Sequence, residues 1–168
     1  VLLGYDAGGS STTGNENVAI GAYALKTENV NGFNVAIGYS ALEALDAGDN
    51  GYNVAIGYKA GEAMSTGVNN TIMGGLAGDA LTTGSGSVAL GYNALGSTTT
   101  AIENVAIGIN ALVANVDGAK NVAVGSYALT ALDPASATDM YNVAVGHQAG
   151  TAMTTGTTTT LLGGFAGT

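Results

Sequence analysis

Asn17-Val18-Ala19-Ile20-Gly21 decides the fold, because the chain keeps returning to it. Asn34 to Gly38, Asn53 to Gly57 and Asn104 to Gly108 repeat the same five residues. Asn121 to Gly125 and Asn142 to Gly146 exchange only Ile for Val. Looser copies are Asn70 to Gly74 (NTIMG), Ser87 to Gly91 (SVALG) and Thr159 to Gly163 (TTLLG), and Val1 to Gly4 is the tail of another. The closing glycines are separated by 17, 17, 19, 17, 17, 17, 17, 21 and 17 residues. A near-constant period over ten copies marks a repeat protein, whose units bury their apolar faces only by stacking on one another.

Within the motif, Val18 and Ile20 fall on one face of a strand and Ala19 on the other. β-branched residues at that alternation favour a strand, and the following Gly permits a sharp turn. A second short strand is expected at Ala24-Leu25, and the rest of the period is loop. The spacing of Ala41, Ala44 and Leu45, repeated at Ala60, Ala63 and Met64, admits one helical turn per coil as the lesser alternative. The expected fold is an all-β solenoid of about ten 17-residue coils, with parallel strands. At about 4.8 Å per coil the rod would stand roughly 45–50 Å tall.

The two long coils place their extra residues in the loop, at Asp46 to Gly51 and at Asp133 to Asp139. Insertions in a solenoid go to one exposed face, often the binding face. A longer repeat lies over the short one: Asn53 to Gly67 resembles Asn142 to Gly156, and each is followed by a double glycine, Gly74-Gly75 and Gly163-Gly164. The chain begins and stops inside copies, without a capping coil. The expectation is a single solenoid segment, residues 1–168, excerpted from a longer fibrous chain.

Apolar residues make up 46 %, yet there is no Trp and only two Phe. The core is therefore built from small side chains. Ala19, Ala36, Ala55, Ala89, Ala106, Ala123 and Ala144 form a flat stripe, read here as the surface for subunit packing. Leu2, Ile72 and Leu161 break the stripe. Gly75 and Gly164 stand where Tyr39, Tyr58 and Tyr92 stand in other coils, which suggests volume compensation.

The net charge of −9, with three Lys and no Arg, argues against nucleic acid and anionic membrane surfaces. No apolar run of 18 residues is present to insert into a bilayer. Without Cys there is neither a disulfide framework nor a thiolate metal site. His147, the single histidine, has no triad around it, and the carboxylates occupy unrelated coil positions, so no acid–base pair, metal or cofactor is expected. Asp46, Asp49 and Asn50 offer oxygen ligands near a glycine but lack calcium-loop spacing. Gly74 to Gly78 lacks the Lys-Ser/Thr of a phosphate loop. Thr157 to Thr160 and Ser97 to Thr100 are possible O-glycosylation runs, set against a plain hydroxyl-rich solvent face. The motif Asn is expected to stack as an amide ladder at a coil corner. Tyr5, Tyr39, Tyr58 and Tyr92 form either a sugar-stacking face or packing for the turn.

The NVAIG-x-x-A unit resembles the head repeats of trimeric autotransporter adhesins of the YadA type, whose motif is close to NSVAIG-x-x-S, and similar repeats in bacteriophage tail fibres. The resemblance extends over all ten copies, although the family coil is usually shorter than 17 residues. It implies a left-handed parallel β-roll, three chains wound into a homotrimer, and an extracellular role at a cell or virion surface. The expected function is a non-catalytic fibre or adhesin segment for attachment or spacing, with a host-surface protein or glycan as partner. The alternatives are a phage tail-fibre shaft, a polysaccharide-acting solenoid enzyme, and an ice- or mineral-binding solenoid.

Overall fold

The computed structural model describes residues 1–11, 14–28, 32–48 and 50–168. Its strands are β1 (Leu2–Leu3), β2 (Val18–Ile20), β3 (Val35–Ile37), β4 (Val54–Ile56), β5 (Thr71–Met73), β6 (Val88–Leu90), β7 (Val105–Ile107), β8 (Gly118–Ala119), β9 (Val122–Val124), β10 (Thr138–Asp139), β11 (Val143–Val145) and β12 (Thr160–Leu162). Ten of them form one parallel sheet in the order β1-β2-β3-β4-β5-β6-β7-β9-β11-β12. Equivalent residues pair directly: Val18 with Val35, Ala19 with Ala36 and Ile20 with Ile37. That register persists through Ala106 with Ala123 and Ala144 with Leu161. The chain is thus an all-β solenoid, with one motif strand per coil and about nine turns between the ten strands. A two-stranded parallel sheet, β8 with β10, lies beside the long ninth coil.

The second strand expected at Ala24-Leu25 is absent, and the helical turn does not form in its place. Tyr23 and Leu25 have φ of 61° and 51°, and their counterparts Ser40 and Leu42 have 52° and 51°. Left-handed residues at every second position break an extended strand and a right-handed helix alike. Stacking survives the turn, because Leu25 N–H donates to Ala41 C=O at 2.9 Å and Leu42 N–H to Ala60 C=O at 3.0 Å. A left-handed non-glycine residue costs roughly 1–2 kcal/mol. The solenoid offsets that cost by giving each tilted peptide a partner in the next coil.

The alanine stripe faces inward, which corrects its assignment to subunit packing. Ala19, Ala36, Ala55, Ala89, Ala106, Ala123 and Ala144 are each 0 % exposed within the single chain. No surface of theirs remains for a second chain. The reason is space: Leu25, Leu42, Leu95, Leu112 and Leu129 already fill the coil interior, so the strand wall can add only a methyl group. Val and Ile, on the opposite pleat, point outward and are partly exposed.

Where the strand supplies a large residue instead, the interior Leu is missing. A Cβ on Gly78 would lie 3.3 Å from Ile72 Cδ1, and one on Gly61 would lie at the same distance from that atom. Leu161 fills the space over Gly150 and Gly167, and Leu2 that over Gly8. Volume compensation is therefore real and includes the first coil, but its partners are these glycines. Gly75 is not one of them, since its nearest neighbour is the Tyr92 ring, with nothing of Ile72 close by.

Candidate functional site

The motif Asn residues make a continuous internal ladder. Asn17, Asn34, Asn53, Asn70, Asn104, Asn121 and Asn142 are all buried. The Oδ1 of each accepts the backbone N–H of the equivalent residue one coil on: Asn17 from Asn34 at 2.9 Å, Asn34 from Asn53 at 3.1 Å, Asn53 from Asn70 at 2.9 Å, and Asn104 from Asn121 at 2.9 Å. Asn53 and Asn70 also donate through Nδ2 to the carbonyls of Gly67 and Gly84, at 2.9 and 3.0 Å. Ser87 stands in for Asn in one coil, and its hydroxyl still accepts from Asn104 N–H at 3.2 Å. A buried amide is tolerated because its polar atoms find partners. The role is structural.

The motif glycines form a second column. Gly4, Gly21, Gly38, Gly57, Gly74, Gly91, Gly108, Gly125, Gly146 and Gly163 all have φ between 118° and 141°. In each of them except Gly163, a Cβ would overlap the backbone of the next motif glycine. Both conformation and close approach therefore demand glycine.

The outer face of the ten-stranded sheet carries two parallel columns, apolar except at Thr71. One runs Val18, Val35, Val54, Thr71, Val88, Val105, Val122, Val143, and the other Ile20, Ile37, Ile56, Met73, Leu90, Ile107, Val124, Val145. Met73 and Val145 are 41 % and 36 % exposed. Sequence reasoning found these residues but placed them inside. The misleading signal was size, since larger apolar residues are ordinarily the buried ones.

Beside this face runs an aromatic strip. Tyr5, Tyr23, Tyr39 and Tyr58 follow one another at ring separations of 5.5, 5.8 and 5.6 Å. Tyr5, Tyr39 and Tyr58 are exposed. Lys26 lies 5.0 Å from the Tyr23 ring and 3.6 Å from Asp6, and Lys59 lies 5.8 Å from the Tyr58 ring and 3.0 Å from Glu62. The Glu62 hydrogen bond raises the Lys59 pKa above its ordinary value. Tyr23 was not among the candidates, because it stands one position later in its coil than Tyr39 and Tyr58. Tyr92 is exposed and holds the same coil slot as Tyr39 and Tyr58, but Gly75 fills that slot in the coil between it and Tyr58.

His147 stacks edge-on against Tyr127 at 6.2 Å and Phe165 at 5.5 Å, in the same surface column, so it serves as one more ring. Among the described residues no group of three His, Cys, Asp or Glu is arranged to hold a metal. Asp49, of the trio Asp46, Asp49 and Asn50, lies outside the described residues. No described helix is long and apolar enough to cross a membrane.

These features define a β-solenoid with a polar spine, a column of turn glycines and an apolar outer sheet face. No protein-family model, curated protein or solved structure matches the chain.

Proposed function

We propose that this chain is a non-catalytic segment of an extracellular fibre, a rod used for attachment or spacing at a cell or virion surface. Three copies associate through the outward Val and Ile columns. The observation that carries the reading is that those columns run over eight strands in register, broken only by Thr71. An apolar face that stays partly open to solvent along many coils is a usual mark of an interaction surface. The repeat along the rod lets identical columns meet without loss of register. The number three and the left-handed wind are taken from the resemblance to adhesin head repeats. A phage tail-fibre shaft is the alternative that the same resemblance carries, and it would differ in what the rod is joined to.

A host-surface protein or glycan is the partner this role requires, and the exposed Tyr strip is a surface suited to one. Light scattering on the purified segment tests the assembly, with a mass of three chains expected. A polysaccharide hydrolase and lyase assay on the same sample tests the non-catalytic part of the reading, with no turnover expected. A monomer, or turnover abolished by a single carboxylate substitution, would reject it.

A further inference from the structure

One groove along the rod is unlike the rest. The ninth coil, with 21 residues, carries Ala137 to Asp139 out beside the eighth, where Thr138 pairs with Gly118 and Asp139 with Ala119. β8 and β10 are the only described strands outside the main sheet. With Thr100 to Ile102 from the coil before, they line an open groove of about 380 Å³. Small-molecule sites ordinarily run roughly 300–1,000 Å³.

The lining is apolar in its depth and polar at its rim. Ala101 and Ala119 are buried, while Ile102 and Ala137 are exposed. Asp117 accepts a hydrogen bond from the Thr100 hydroxyl at 3.0 Å. Asp139 is held by Lys120 Nζ at 2.6 Å and by the Tyr141 hydroxyl at 3.1 Å. Lys120 in turn lies 5.3 Å from the Tyr141 ring. Both carboxylates are thus fixed through one oxygen by a neighbour, which leaves acceptor capacity on the other. Acceptors oriented in advance lose little entropy when a ligand arrives.

We propose that this groove binds a neutral sugar residue of a glycan. The C–H face of a pyranose suits the Ala and Ile lining, and its vicinal hydroxyls are donors for the waiting carboxylates. Two carboxylates, on a chain of net charge −9, repel phosphate, sulfate and sialic acid. A metal ion is poorly served, because the Asp139 charge is already met by Lys120. The groove lies within one chain and does not wait on assembly. The proposal supplies a ligand class for the attachment role and rests on that reading for its purpose. The mass measurement above tests the assembly of that reading separately, so the two can fail independently.

The test is saturation-transfer NMR with galactose, mannose, N-acetylglucosamine and N-acetylgalactosamine, with N-acetylneuraminic acid as the anionic control. At least one neutral sugar should give transfer and should shift the amides of residues 100–102 and 137–139 in the unaltered protein. Ala137→Phe, which fills the groove from an exposed position, and Asp117→Asn, which removes a carboxylate, should each weaken binding at least tenfold; Ser10→Ala, at an exposed position in the first coil, should leave it unchanged. Absence of transfer from all four neutral sugars, amide shifts elsewhere on the rod, or equal binding of the anionic sugar would overturn the proposal.

Discussion

Ile72 and Gly78 form one packing unit. The Ile72 Cδ1 occupies the space that Leu25, Leu42, Leu95, Leu112 and Leu129 fill in other coils, and the residue that would have carried that Leu is Gly78. The coil interior has room for one large side chain at this level, supplied either by the strand or by the turn.

Exchange of the two should therefore be tolerated better than either change alone. Ile72→Ala opens a cavity and should cost about 2–5 kcal/mol. Gly78→Leu overpacks and should cost about 1–3 kcal/mol. Its left-handed backbone adds roughly 1–2 kcal/mol, a cost the chain already bears at Leu42, where φ is 51° against 52° at Gly78. The double variant should lose clearly less than the sum, as contacting sites do. Denaturant titration of the three variants measures the coupling.

Gly108→Ala should be far worse than Gly48→Ala, although both glycines have positive φ. At Gly108, φ is 133° and a Cβ would sit 2.6 Å from the Gly125 carbonyl carbon. At Gly48, φ is 72° and nothing lies within 4 Å. We expect more than about 3 kcal/mol at Gly108, from clash and strain together, against roughly 1–2 kcal/mol at Gly48, read from thermal unfolding.

Asn53→Leu and Asn53→Ser separate the ladder from simple space filling. Leu leaves the Asn70 N–H and the Gly67 carbonyl without the partners they now have, and each buried orphan costs about 1–3 kcal/mol. Ser keeps the acceptor, as Ser87 does, and should lose less than half as much. Amide hydrogen exchange at Asn70 should rise strongly in the Leu variant alone.

The Lys120–Asp139 pair sets a pH dependence. Its hydrogen bond to Lys120 lowers the Asp139 pKa below the ordinary carboxylate value, and the same bond raises that of Lys120. For a depressed acid, the stabilising interaction is present above the unfolded-state pKa and fades as pH falls through the folded one. For Lys120 it is present below the unfolded-state pKa and is lost as pH rises through the raised folded value. An NMR titration of the Asp139 carboxyl should show the depressed midpoint, and Lys120→Gln should return it toward the ordinary value. An unchanged midpoint in that variant would remove the stated cause.

The period, the strand and its parallel register were legible because Asn, Val, Ala, Ile and Gly each recur at fixed coil positions. The face was not. Alternation separates Val18 and Ile20 from Ala19 but does not say which side is inside, and ordinary burial preferences point the wrong way for so narrow a coil. The answer lay four residues after the motif glycine, where Leu25 or Leu42 reserves the interior. The turn was misread because Ala-Leu looks strand-like, whereas Tyr23 and Leu25 adopt left-handed φ that only inter-coil bonding sustains. The groove was invisible, since Thr100, Asp117 and Asp139 meet only through the shifted pairing of the ninth coil. The Asp133 to Asp139 insertion was its sole sequence signal.

Ile107 and Ala106 are adjacent on β7, one facing out and the other in, and substituting each tests the outward face as the subunit interface. Ile107→Lys and Ala106→Glu are compared with the unaltered protein by light scattering, with circular dichroism on the same samples. The unaltered protein should have the mass of three chains. Ile107→Lys should give a monomer that keeps its β spectrum. Ala106→Glu should lose the spectrum itself, because a charge enters the coil interior, where it costs several kcal/mol unless neutralised. A trimer of unchanged stability carrying Ile107→Lys, or a well-folded Ala106→Glu chain that fails only to assemble, would contradict this arrangement.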